Sequence, residues 1–240
     1  MPQSFVEKKA GFLGWLSSSY RQKIDIQNEA ALQFHQKKLR AWQNEKAKFE
    51  AAQCTRRKLI EHDRLVNPQA MQEYLQEVFS SLQWPRETNI SFQVQDDGKA
   101  VLLDVDLPEI EDMPTQKASV AARELRILIK DRSKKQQRGE YATHIHGVMF
   151  RLIGDVFTAL PTVDEVICSG YSQRASKATG QVVDEYLLSV RVLRNEWRTI
   201  NFANLKLVDP VTSLATFEIK RKMTATGIFS PIEPFQEKDL

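Results

Sequence analysis

The sequence predicts an α+β protein in which an antiparallel or mixed sheet is packed by a long central helix and preceded by a long N-terminal helical arm. Three stretches point to it. Residues 22–65 contain neither Gly nor Pro and are rich in Ala, Gln, Lys, Glu, Arg and Leu, the composition of a long helix. Residues 89–107 alternate apolar and polar side chains on both sides of Asp97-Gly98, which reads as a hairpin. Residues 141–160 place Tyr141, Ile145, Val148, Met149, Leu152, Ile153, Val156, Phe157 and Leu160 on one helical face, and strands over 163–171 and 184–193 follow.

The arm is expected over 1–66 and the α+β domain over 67–240. Phe5, Val6, Phe12, Leu13, Trp15, Leu16 and Tyr20 form an apolar cluster broken by Gly11 and Gly14, read as a short helix or loop that docks on the body or on a neighbouring subunit. In 22–65 the apolar positions Leu32, Phe34, Leu39, Trp42, Phe49, Leu59 and Ile60 do not keep a strict heptad. Either a helical hairpin broken near 53–57 or a projecting helix that pairs with another chain fits this pattern, and the second makes the arm a possible coiled-coil or homo-oligomerisation segment. Asn67-Pro68 then starts a helix over 69–82, as N-cap and first helical residue. Met71, Leu75, Val78, Phe79 and Leu82 share its apolar face, and Trp84 and Pro85 end it.

In the hairpin's second strand Asp104 and Asp106 lie opposite Leu103, Val105 and Leu107, on a face expected to meet solvent and discourage edge pairing. Past an extended piece from 114, residues 121–129 read as helix and the polar run 130–140 as an exposed loop. His144 and His146 lie about 200° apart around the central helix, too far to share a metal, and are expected at its boundary or surface. Between the last strands, 172–180 reads as a turn-rich link. The strand over 184–193 is apolar on both sides, as a central strand requires, and helix resumes near 195–197.

The formal net charge is +3, but it is unevenly spread. Residues 1–66 hold 13 Lys and Arg against 7 Asp and Glu, whereas 96–112 hold 7 acidic residues against Lys99 alone. Arg56, Arg57 and Lys58, then Lys134, Lys135 and Arg138, and then Arg174 and Lys177 in the link, are the candidate nucleic-acid contacts, since clustered cations can follow a phosphate backbone. The bland reading of each group is a solvated surface. Cys54 and Cys168 have no metal spacing, so reduced thiols are expected, with no metal site and no cofactor. No apolar run reaches the roughly 20 residues a bilayer span needs. The start of the chain lacks a signal-peptide pattern, and a soluble, cytoplasmic protein is expected.

No complete catalytic constellation is legible. The one enzymatic alternative is a divalent-metal nuclease with a degenerate site, combining Asp104 and Asp106 with the Glu-x-Lys pair Glu218 and Lys220.

Several segments resemble a known family. Gly170-Tyr171, Ala178-Thr179-Gly180, Leu187-Leu188-Ser189-Val190, Ile200-Asn201-Phe202 and Val208-Asp209-Pro210 are joined upstream by Val105-Asp106-Leu107-Pro108 and Met113-Pro114-Thr115. As a set they resemble the region that precedes the nuclease domain in bacterial Mrr-type restriction-system proteins. In that family the nuclease domain follows the stretch similar to Phe229-Ser230-Pro231-Ile232, whereas this sequence ends a few residues later. The resemblance implies a restriction or phage-defence setting without the catalytic part. The expectation is a non-catalytic recognition or scaffolding module that binds DNA or a protein partner, such as a nuclease or helicase encoded nearby.

Overall fold

The structure is a computed structural model that describes residues 2, 4–84, 88–120, 126–175 and 179–239. Two compact units divide the chain, Met1–Leu59 and Ile60–Leu240.

In the first unit a short helix α1 (Gly11–Leu16) precedes α2 (Ser18–Lys58), 41 residues that run unbroken through 53–57. At 1.5 Å per residue α2 is about 60 Å long. Its N-cap Ser17 accepts from the backbone N–H of Tyr20. Asn28, the buried side chain of α2, accepts from Lys8 N at 3.0 Å and donates to Lys8 O at 2.9 Å. Those two bonds lay the segment before α1 along the helix and satisfy both ends of one amide. The apolar cluster expected to dock is only partly covered within this unit, and Phe12 and Trp15 stay exposed.

In the second unit the helical backbone widens into a π-turn ending at Asp63, followed by α3 (Arg64–Val66). Helix α4 (Pro68–Ser80) starts as expected, with the Asn67 side chain accepting from Gln69 N and Ala70 N. It buries Met71, Leu75 and Phe79. Strands β1 (Ile90–Val94) and β2 (Ala100–Asp106) pair antiparallel with Val94 opposite Val101. Gly98 at the turn has φ +67°, a conformation other residues rarely adopt. Pro85, expected to close α4, lies outside the described residues.

Strands β3 (Gln116–Val120) and β4 (Ile127–Asp131) form a separate antiparallel ribbon. The helix expected over 121–129 is therefore corrected at its C-terminal end; 121–125 lie outside the described residues. Ile127-Leu128-Ile129 is a short apolar run, and periodicity alone does not separate strand from helix at that length. The expected loop over 130–140 is also corrected, because α5 (Lys134–Ala159) begins inside it. A capping box, Ser133 with Gln136, fixes that start, as each side chain bonds the other's backbone N–H.

Helix α5 is the core element. Ile145, Met149, Leu152, Ile153 and Val156 are fully buried, each such burial contributing about 1.5–3 kcal/mol. Its C-terminal carbonyls are capped from outside the helix, where Arg194 donates to Phe157 O and to Leu160 O of the cap residue and Arg64 donates to Ala159 O; Arg194 also bonds Val163 O beyond the helix. Both cations also sit favourably at the negative end of the helix dipole. His146, expected at the boundary or surface, is fully buried instead. Its polar atoms are satisfied by Ala142 O and Arg221, so burial leaves nothing unpaired.

Strands β5 (Glu165–Ala175) and β6 (Val182–Leu193) lead through α6 (Arg194–Trp197) and α7 (Pro210–Leu214) to β7 (Glu218–Met223) and β8 (Phe229–Ser230). The six-stranded sheet has the order β1-β2-β5-β6-β7-β8, with β2 and β5 parallel and every other neighbour antiparallel. The parallel pair needs a crossover, and α5 supplies it. Strand β2 is thus internal, not an edge, and Asp106 is buried. The link expected from 172 is corrected as well: β5 continues to Ala175, and 176–178 lie outside the described residues. Among the described residues no helix is long and apolar enough to cross a membrane.

Candidate nucleic-acid interface

The N-terminal turns of α5 carry Lys134, Lys135 and Arg138, and no acidic residue stands in the first turn. A helix N-terminus is already positive, equivalent to roughly half a unit charge, so three cations there concentrate potential. Lys134 and Arg138 line a cleft of about 870 Å³ together with Glu109, Glu111 and Asp112. Arg174 projects into the same cleft from β5. Its Nε lies 3.2 Å from both Glu109 carboxylate oxygens, and its Nη1 lies 3.5 Å from Glu185. The cleft is therefore of mixed charge, with Arg174 half-buried and held by Glu109 and Glu185. Tyr141 forms part of its floor and donates to Pro108 O at 2.9 Å. Burial, with Glu109 nearby, keeps that phenol protonated well above its ordinary range.

The β3–β4 ribbon leads directly into these turns. Arg132 ties the two together: its guanidinium donates to Pro114 O and Gln116 O and pairs with Glu140 of α5 at 2.8 Å. Lys117 and Lys130 stand directly opposite each other in the ribbon. Among the described residues none pairs with Lys117, Lys130, Lys134, Lys135 or Arg138. Lys117 escaped the sequence reading because nothing local marked the run around it as one half of a ribbon. The cue that was available is Ile127 to Ile129, a short aliphatic run ending at charged residues.

Arg56, Arg57 and Lys58 occupy the last turn of α2 in the other unit and are exposed. Lys177 lies outside the described residues.

The four residues of the nuclease alternative share one face of the sheet but are not brought together. Asp104 stands opposite Ser169, Ser169 opposite Ser189, and Ser189 opposite Lys220. This row spans three strand spacings, about 14 Å. Between its ends the Ser169 and Ser189 hydroxyls bond each other at 2.8 Å. Lys220 donates to Pro234 O at 3.4 Å, and its ammonium lies 4.0 Å from the Phe235 ring centre. Glu218 pairs with Arg191, which also holds Glu165. Burial raises the Asp104 carboxyl above its ordinary range, partly offset by a hydrogen bond from Tyr186. Among the described residues no group of three or more His, Cys, Asp or Glu is placed to hold a metal ion.

No protein-family model matches this chain, and no curated protein matches it.

Proposed function

We propose that this chain is a non-catalytic recognition module that grips duplex DNA, with Lys134, Lys135 and Arg138 as its electrostatic anchor. The observation that carries this reading is the unpaired cationic group on the first turns of α5. Like charges on the positive end of a helix repel one another and the dipole, and a phosphate backbone relieves both. Of the carboxylates that line the cleft with Lys134 and Arg138, Glu109 is already engaged by Arg174. Lys135 stands outside the cleft altogether, facing solvent. The resemblance to a segment of restriction-system proteins favours a defence setting, in which a separate nuclease or helicase would do the chemistry. Arg174 has no place in the grip, because its guanidinium already holds Glu109 and Glu185.

Fluorescence anisotropy with a labelled duplex across a salt series tests this. The expected result is binding at low salt that falls linearly in log K against log salt. Replacing Lys134, Lys135 and Arg138 with Gln should make the slope shallower by about 3, roughly one unit per lost phosphate contact. Absence of affinity at about 50 mM salt, where phosphate contacts are strongest, overturns the proposal.

A further inference from the structure

The ribbon formed by β3 and β4 is built in a way that costs the free protein at three points. First, its two strands pair only with each other, and an isolated two-stranded hairpin is marginal in water. Second, Lys117 and Lys130 face each other directly across it, and like charges in that position destabilise a ladder. Third, the register puts Ala118, Val120, Ile127 and Ile129 on the opposite face, with the Gln116 and Asp131 pair at its base. There Val120 is 69% exposed, Ile127 70% and Ile129 64%. At its base, by contrast, the ribbon is firmly held: Arg132 anchors it to Glu140 of α5, and Gln116 donates to Asp131 across the strands at 3.0 Å.

Building on the DNA-binding reading above, we infer that the β3–β4 ribbon enters the major groove of the duplex held by α5, apolar face toward the base edges and one lysine toward each phosphate rim. The major groove, about 12 Å wide, admits a two-stranded ribbon. Lys117 and Lys130 belong to different strands of a ribbon that has no further strands, so each lies at an outer edge. Their long flexible stems let the ammonium groups turn toward the rims. Mutual repulsion between them then becomes separate attraction to two lines of phosphate. On the groove floor thymine methyl groups are the apolar feature that Val120, Ile127 and Ile129 can cover. One occupant thus answers both the charge and the exposed aliphatic surface. Charge complementarity favours it over a second copy of this chain, which would cover the apolar face and leave the lysines opposed.

Anisotropy of an A·T-rich duplex, and of the same duplex with uracil in place of thymine, tests the inference on the full chain. All four substituted residues are exposed, so the variants are expected to fold, with far-UV circular dichroism as the check. The Lys117→Gln, Lys130→Gln variant should bind about tenfold more weakly, with a salt slope shallower by about 2. Wild-type affinity should fall on the uracil duplex, and the Ile127→Ser, Ile129→Ser variant should no longer distinguish the two duplexes. Ribbon variants that bind like wild type, while the α5 variants weaken binding, overturn the groove inference and leave the recognition module standing. A lower sedimentation mass for Ile127→Ser, Ile129→Ser with unchanged duplex affinity also overturns it and makes the ribbon a self-association face. Failure of the wild type to bind either duplex removes both readings together.

Discussion

Arg221 on β7 donates through Nη1 to Nε2 of His146 on α5 at 2.7 Å, joining two elements 75 residues apart in sequence. The other ring nitrogen, Nδ1, lies 2.7 Å from Ala142 O. A guanidinium can only donate and a carbonyl can only accept, so the pair assigns the tautomer: Nδ1 carries the proton and the ring is neutral. Burial, with the Arg221 charge adding to it, lowers the His146 pKa to about 4.

That shift has a sign. An unfolded His titrates near 6.5, so between about pH 6.5 and 4 the unfolded chain binds the proton and the folded one does not. The stabilisation is complete above about pH 6.5 and is lost as pH falls toward 4. Urea titrations at pH 7.5 and 4.5 should give His146→Gln a pH-dependent loss smaller than wild type's by about 2–3 kcal/mol. Equal losses in the two proteins would contradict the buried neutral ring. Arg221→Met should raise the His146 pKa in an NMR titration, since it removes a like charge from the protonated ring.

Gly170 sits on β5 where a Cβ would overlap Leu107 Cδ1 and meet Met149 Sδ at 3.3 Å. Both neighbours are fully buried core side chains. Gly170→Ala is therefore expected to cost about 1–3 kcal/mol by overpacking, read as a shift of the urea midpoint. An unchanged midpoint would mean that the sheet and α5 separate more easily than their packing implies.

Lys220 is held by Pro234 O and the face of Phe235, on the same sheet face as Asp104 but three strand spacings away. Lys220→Met should lower stability by about 1–2 kcal/mol through loss of those contacts. Plasmid incubated with wild type and Mg²⁺ or Mn²⁺ should remain supercoiled. Metal-dependent nicking that disappears in Asp106→Ala, Lys220→Ala would reinstate the nuclease alternative.

The first unit presents Phe12 at 72% and Trp15 at 74% exposure, with rings 5.9 Å apart. Along α2, Ile26, Phe34 and Phe49 are exposed as well. Apolar side chains grouped in this way mark association surfaces. Light scattering should give the full chain a mass above one protomer, falling toward one in Phe12→Ser, Trp15→Ser. A wild-type mass of one protomer would rule out oligomerisation through this unit.

Signals within a few residues of each other were readable before the fold was known. The Asn67-Pro68 start of α4, the Asp97-Gly98 hairpin and the apolar stripe of α5 are local matters of capping, turn chemistry and periodicity. So were Lys134, Lys135 and Arg138 as a basic run, although the Ser133 and Gln136 capping box that makes their setting a helix was missed. Tertiary structure decided the rest, because it concerns partners far apart in the chain. Arg174 meets Glu109 across 65 residues, His146 meets Arg221 across 75, and β2 finds β5 only once α5 has crossed between them. A period of 2 or 3.6 tells which face a side chain takes, but carries no information about which strand or charge will stand opposite. The cations of α5 could therefore be named from sequence, while the ribbon that extends them, with Lys117 set against Lys130, became visible only with the strand register.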